Sequence, residues 1–444
     1  MDWQHDIMSV MRSFQQRIAA TKRVDLQGLR QELEPLFRTG GYREPSAGGR
    51  QRILLLHDGG AGDFVNLTPA LRAVRRLYPQ AELTLVCYKA ARSLAEACPY
   101  LDEVVAYDEL MDVAGAEMVF GWVISLAEGL LPKHFDRALC FAHFGRTLLL
   151  AYLSGARERI GYDYGQALPF LAGVVPHGLA AEFMTVRVPI ARARAQGTHV
   201  ADFYLGLLEG WLQQPVQDRA LQLWYGPEDE ARVLEQVQLC SGRGMEAGCT
   251  YLALCLGGRR MAKRWPAASY AGLLRRLLAE NDRLRFLAVG GKDEQADCEG
   301  LRQAVGEGYV LNLAGRLQYR ESAAAVGMCR GYLGNDTSIL HMAAAFGLPV
   351  LSPNCYPASK GLHAGTIPAC YYPYGVPAVL VLPAEPLAEC WQRADIYGCT
   401  HIMEAHCICQ VSVAAMEKGW QLLQRLVREG RKETAFLRAA PQAD

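Results

Sequence analysis

Asp63 closes a glycine turn, Asp58-Gly59-Gly60-Ala61-Gly62-Asp63, that lies between an apolar run of strand length and a helical pattern. Glycines there let a backbone approach a ligand closely, and the N-terminus of the next helix attracts anions. A carboxylate at that point stands at the carboxyl edge of the sheet, where open α/β sheets bind ligands, and could act as a general base. The plainer alternative is that Asp63 only caps the helix. Gly60 and Gly62 begin the dinucleotide pattern G-x-G-x-x-G, but Val65 stands in its third glycine place, which argues against a dehydrogenase.

A second group lies far along the chain. Lys263-Arg264-Trp265-Pro266 follows a strand and a glycine turn, where a pair of cations could hold a pyrophosphate or simply be solvated. Glu294 ends Gly290-Gly291-Lys292-Asp293-Glu294, a turn beyond which a carboxylate can take ribose hydroxyls or cap the helix. Gly334-Asn335-Asp336-Thr337-Ser338 opens a helix whose free N–H groups, with the Thr337 and Ser338 hydroxyls, form a phosphate cradle. Asp336 would repel that phosphate, so it is expected to face neutral sugar hydroxyls. His341 follows one turn later; alone it would read as a core histidine, but loops at strand ends of one sheet converge on one crevice.

The elements that must position these residues follow from the rhythm of apolar runs. Residues 1 to about 38 read as one or two helices, and Thr39–Arg52 as a Gly/Pro/Ser-rich linker. Strand and helix patterns alternate from Ile53, loosen between Pro169 and Gly248, and restart at Tyr251. Such alternation implies parallel βαβ units in doubly wound sheets. The chain ends with a helix near Val411–Val427 and a polar, frayed tail.

Composition sets the remaining bounds. The 444 residues suffice for two domains, with 51% hydrophobic and 21% charged side chains. Lys plus Arg number 46, as do Asp plus Glu, so charge-driven nucleic-acid binding is not expected. The N-terminus carries no secretory pattern, and the longest uncharged apolar run, Met118–Ala127, is about half of a membrane span and reads as buried core. A cytoplasmic protein is expected, its 14 cysteines mostly reduced. Cys390, Cys399, Cys407 and Cys409, with His401 and His406, form a denser group without zinc-motif spacing. Cys407 and Cys409 would share a face if extended and point apart if helical. Reduced structural thiols are the expectation, with a structural iron or zinc, or less readily a disulfide, as the alternatives.

With these residues in view, the chain resembles glycosyltransferase family nine, the ADP-heptose:lipopolysaccharide heptosyltransferases. The resemblance rests on G-x-G-D with T-P-A-L-R (Gly60–Arg72), P-Y-L-D-E-V (Pro99–Val104) and the block Gly145–Tyr162. It continues in A-K-R-W-P (Ala262–Pro266), G-G-x-x-E (Gly290–Glu294) and G-N-D-T-x-x-x-H-x-A-A-A-x-G (Gly334–Gly347), the last being the most specific. It implies a GT-B fold, two Rossmann-like domains facing a central cleft, here with an N-terminal helical extension. The expected division is residues 1–50 as extension and linker, 51–245 as acceptor domain, 246–400 as donor domain, and 401–444 as C-terminal helix and tail. Carried over, Asp63 matches the catalytic base, Lys263 a donor phosphate ligand, Glu294 a ribose ligand, and Asp336 and Thr337 the sugar and phosphate contacts. Ser338-Ile339 stands where Gly-Pro is usual, and SPNCYPASKG (Ser352–Gly361) replaces a glycine-proline-threonine loop.

The resemblance implies inverting transfer of a heptose from ADP-heptose to a lipopolysaccharide inner-core acceptor, with no cofactor and no metal. No Asp-x-Asp pair occurs in the sequence, so Lys263 and the helix N-terminus at Thr337 must carry the leaving group's charge. The acceptor leaves room for peripheral contact with the inner membrane. The alternatives are another nucleotide sugar, a protein acceptor as in the autotransporter heptosyltransferases, and a non-catalytic nucleotide-binding module.

Overall fold

Runs of four to seven residues such as ILLLH and LALC are apolar without alternation, as strands covered on both faces must be. A computed structural model describes residues 3–41, 50–108, 115–142, 144–163, 175, 180–190, 198–242, 244–360, 367–387 and 404–439. Its strands form two wholly parallel sheets, and the chain groups into two units. One comprises residues 1–60, 69–192 and 203–218, the other residues 61–68, 193–202 and 219–444.

The first unit's sheet has strands β1 (Arg52–His57), β2 (Glu82–Tyr88), β3 (Glu103–Tyr107), β4 (Arg137–Phe141), β5 (Glu158–Asp163) and β6 (Val186–Pro189). Their order is β3-β2-β1-β4-β5-β6, with the topological switch between β1 and β4. Helices α1 (Trp3–Thr21) and α2 (Leu26–Leu36) precede it. The expected N-terminal helical extension is present, and it packs on the core of the first unit. Ile7, Met11, Phe14 and Ile18 form one buried stripe at helical spacing. They join α5 (Ala116–Leu130), where Phe14 meets Phe120 edge-on with centroids 5.4 Å apart. The Met118–Ala127 run is one-sided: Val119, Phe120 and Val123 are buried, but Met118 is exposed. Thr39–Gly41, assigned to a linker, end a π-helical turn (Phe37–Gly41) that continues α2; most of the linker lies outside the described residues. Helices α3 (Ala61–Leu77), α4 (Arg92–Glu96), α6 (Gly145–Leu153) and α7 (Val200–Leu212) complete the crossovers, α3 and α7 each being divided between the two units.

The second unit begins earlier than the expected residue 246. Helix α8 (Pro227–Ser241) groups with it, because buried Asp229 accepts a bond from Arg320 Nε at 2.9 Å and also receives Gly226 N–H at 2.8 Å. Its strands are β7 (Thr250–Cys255), β8 (Leu284–Ala288), β9 (Val310–Asn312), β10 (Tyr332–Gly334), β11 (Val350–Pro353), β12 (Ala378–Leu382) and β13 (Thr434–Arg438), ordered β13-β12-β11-β10-β7-β8-β9. Helices α9 (Ala267–Glu280), α10 (Gln295–Val305), α11 (Tyr319–Gly327), α12 (Ser338–Ala345), α13 (Ile367–Cys370) and α14 (Val413–Arg428) lie between them. The expected frayed tail is corrected by β13, which pairs in parallel with β12 from Thr434 opposite Ala378 to Arg438 opposite Leu382. Ala435 and Leu437 pack on the core, a short apolar alternation that the polar residues around it disguise. Among the described residues no helix is long and apolar enough to cross a membrane.

Candidate functional site

Every residue singled out for chemistry falls in the second unit, since Ala61–Thr68 groups there. Helix α3 starts at Ala61, so Asp63 sits within its first turn and is not the residue that caps it. Gly62 lies against α12: a Cβ on it would stand 2.9 Å from His341 Cδ2 and 3.3 Å from Ser338 Cα. Only glycine permits that approach, which brings the turn carrying Asp63 to the helix that opens at Ser338.

Thr337 caps α12, its Oγ1 accepting from Ile339 N at 3.2 Å, and Ser338 is the first helical residue. Lys263 ends a short 3₁₀ turn after β7 and donates to Asp336 Oδ2 at 2.7 Å. Burial alone would lower the Lys263 pKa, but the Asp336 carboxylate and its hydrogen bond raise it above its ordinary value, so the ammonium stays charged. Asp336 was expected to face sugar hydroxyls; one of its oxygens instead holds Lys263, and Oδ1 takes no bond among the described residues. The Lys263-Arg264 cation pair diverges: Arg264 turns to Asp293 and to Gly258 O at 2.9 Å.

His341 is buried, and Asn66 bridges it to the α3 turn. Asn66 Nδ2 donates to Gly62 O at 3.0 Å and lies 3.3 Å from His341 Nδ1. An amide nitrogen is only a donor, so Nδ1 accepts and the network assigns the ring proton to Nε2. Burial, opposed by Asp336 and assisted by Lys263, pulls the His341 pKa down to about 4, so the ring is neutral at pH 7. Asn66 Oδ1 is buried and has no partner among the described residues.

Glu294 ends the 3₁₀ turn Lys292–Glu294, with its carboxyl group seated over two glycines. A Cβ on Gly257 would fall 1.7 Å from Glu294 Oε1, and one on Gly290 would fall 1.9 Å from Oε2. Burial raises the Glu294 pKa to about 7, with Asp293 adding and the Gly291 backbone and Arg264 opposing. The acid is therefore poised between its neutral and charged forms at neutral pH.

Sequence reasoning missed Asn335 as an individual residue, although it anchors this loop set. It is fully buried; its Oδ1 accepts from Trp265 N at 3.1 Å and Tyr270 Oη at 2.8 Å. Its Nδ2 donates to Leu256 O and to Gly257 O at 2.9 Å. This one amide ties the end of β10 to the loop after β7, which sets Asp336 against Lys263. Asn66 was missed because its partner is remote in sequence. In the cysteine group, Cys390, Cys399 and His401 lie outside the described residues. Cys407–Gln410 is a 3₁₀ turn, with Cys407 buried and Cys409 exposed, so these two point apart.

Comparison with known proteins adds independent findings. The family model described as glycosyltransferase family 9 (heptosyltransferase) matches residues 123–401. A lipopolysaccharide heptosyltransferase 2 from Escherichia coli strain K12 is 23% identical over 304 residues, covering 68% of this chain and 82% of the relative. Among solved structures, a family 9 glycosyl transferase from Veillonella parvula superposes with a TM-score of 0.62 at 20% identity, covering 84% of this chain and 97% of that one. The Escherichia coli ADP-heptose lps heptosyltransferase II gives 0.60 at 18% identity, covering 84% and 99%. These two share the fold, which is the expected GT-B architecture.

Proposed function

This chain belongs to glycosyltransferase family 9 and is a glycosyltransferase, and we propose that it moves a heptose from ADP-heptose to a lipopolysaccharide inner-core acceptor. The observation that carries the donor side is the Lys263–Asp336 pair beside the capped N-terminus of α12. A half-buried ammonium and a helix N-terminus supply positive potential to a diphosphate leaving group without reorganising during reaction. On binding, the diphosphate takes over Lys263, while Asp336 Oδ1 accepts a sugar hydroxyl. Glu294 receives the ribose hydroxyls. Neutral His341, its proton on Nε2, donates without adding charge.

Asp63, in the first turn of α3, removes the acceptor hydroxyl's proton as that oxygen attacks the anomeric carbon, which gives inversion in one displacement. The proton transfer contributes roughly 10²- to 10⁴-fold in rate. No metal is required in this scheme. A second reading keeps the chemistry and changes the sugar or uses a protein acceptor; Ser338-Ile339 and the SPNCYPASKG segment, both departures at the donor loops, favour considering it.

ADP release by the purified protein tests these together. ADP-heptose with a lipid A–Kdo acceptor is expected to give acceptor-dependent release. Release only with another nucleotide sugar, or only with a protein acceptor, would replace the reading.

A further inference from the structure

Asn66 is a fully buried amide in an otherwise apolar stretch of α3, between Val65 and Leu67, which are themselves fully buried. A buried amide is costly unless hydrogen-bonded, and an aliphatic side chain would fill the place without that cost. Local packing therefore gives no reason for it; its partners do. Both Nδ2 protons are engaged, one by Gly62 O at 3.0 Å and one by His341 Nδ1 at 3.3 Å. Turning the amide over would set Oδ1 against the Gly62 carbonyl, acceptor against acceptor, so its orientation is fixed. Gly62, Asn66 and His341 all group in the second unit.

The consequence falls on the histidine. His341 is 5% exposed and makes no other hydrogen bond among the described residues. With Nδ1 held as an acceptor, the single ring proton sits on Nε2. Nε2–H is then a donor on a buried side chain with no protein partner among the described residues, and such a donor calls for a ligand. The charged and titratable groups whose fields reach the ring are Asp336, Lys263 and the buried His199. Lys263 is the cation assigned above to the diphosphate.

We propose that Asn66 is a positioning residue, holding His341 in the Nε2–H tautomer that donates to an oxygen of the donor's diphosphate. The proposal deepens the donor reading above and rests on it for the identity of the ligand. Asn66 acts through the histidine and not on the substrate. An amide does this without adding charge. A carboxylate in its place can only accept, so it would draw the proton to Nδ1 and leave the Nε2 lone pair facing the phosphate oxygens.

The test uses the full chain, carrying isotope-labelled histidine, with His341→Gln to assign the His341 signals. Nitrogen chemical shifts above pH 8 are expected to show His341 protonated on Nε2 in the parent and on Nδ1 in Asn66→Asp. Calorimetry with ADP supplies the second readout. Above pH 8, Asn66→Asp should bind ADP at least about tenfold more weakly than the parent, the size of a lost charged hydrogen bond. That deficit should shrink as pH falls and a second proton returns to Nε2. Asn66→Leu removes the hydrogen bond without imposing the other tautomer, so its smaller deficit should stay level with pH. A parent His341 protonated on Nδ1, or an Asn66→Asp deficit that does not change with pH, would overturn the proposal. A parent that binds no ADP would overturn the donor reading, and with it the ligand named here, even with the tautomer as expected.

Discussion

At the residue scale, the site divides charge between a fixed pair and two groups that burial keeps near neutrality. Asp63→Asn is nearly isosteric and cannot accept a proton, so turnover should fall by roughly 10²-fold or more while ADP binding persists; turnover within a few-fold of the parent would reduce Asp63 to a structural role. Lys263→Ala should weaken ADP binding by about 1–3 kcal/mol, because it removes the phosphate's cation and leaves Asp336 uncompensated beside it. Calorimetry showing unchanged ADP affinity would move the phosphate site elsewhere. Glu294 gives a pH signature. Its folded pKa, about 7, lies above its ordinary 4.5. The folded state therefore holds a proton that the unfolded state releases. Stability is full below pH 4.5 and declines as pH rises through 7, by on the order of 3 kcal/mol. Glu294→Gln should flatten that part of the stability–pH profile. Denaturant titrations from pH 4.5 to 8.5 with the same slope in both proteins would contradict it.

At the element scale, helices α1 and α2 illustrate how a stripe is legible while its destination is not. Ile7, Met11, Phe14 and Ile18 declare one apolar face, but nothing local says that α5 covers it. Phe14→Ala should cost about 3–5 kcal/mol, as a core aromatic does, even though it lies outside the family's motifs. A thermal unfolding profile indistinguishable from that of the parent would mean that the N-terminal helices are dispensable to the first unit. The strand β13 teaches the converse lesson. Its five residues, Thr434–Arg438, are too few to stand out among polar neighbours, and only the open edge of β12 makes them a strand.

At the scale of the whole molecule, two parallel sheets with Rossmann strand order put the candidate site residues at carboxyl edges, where open α/β sheets bind ligands. The proposed mechanism assigns leaving-group stabilisation to Lys263 and the α12 N-terminus. Transfer activity should accordingly survive excess EDTA. Activity lost on chelation and restored by magnesium or manganese would refute the metal-free scheme.

What the sequence by itself determined was the α/β alternation, the family and which loops make up the candidate site, because strand-length apolar runs, glycine turns and G-N-D-T are local patterns. Tertiary structure decided everything that depends on partners remote in the chain. It turned Asp336 toward Lys263, placed Asn66 beside His341 across a glycine, and seated Glu294 over Gly257 and Gly290. It also made Asn335 the tie between β10 and the loop after β7. It moved the second unit's start back to Arg219, since the Asp229–Arg320 pair binds α8 to that unit. Hydrogen-bond partners and burial are properties of neighbours in space; periodicity reports the face a residue occupies but not what comes to meet it.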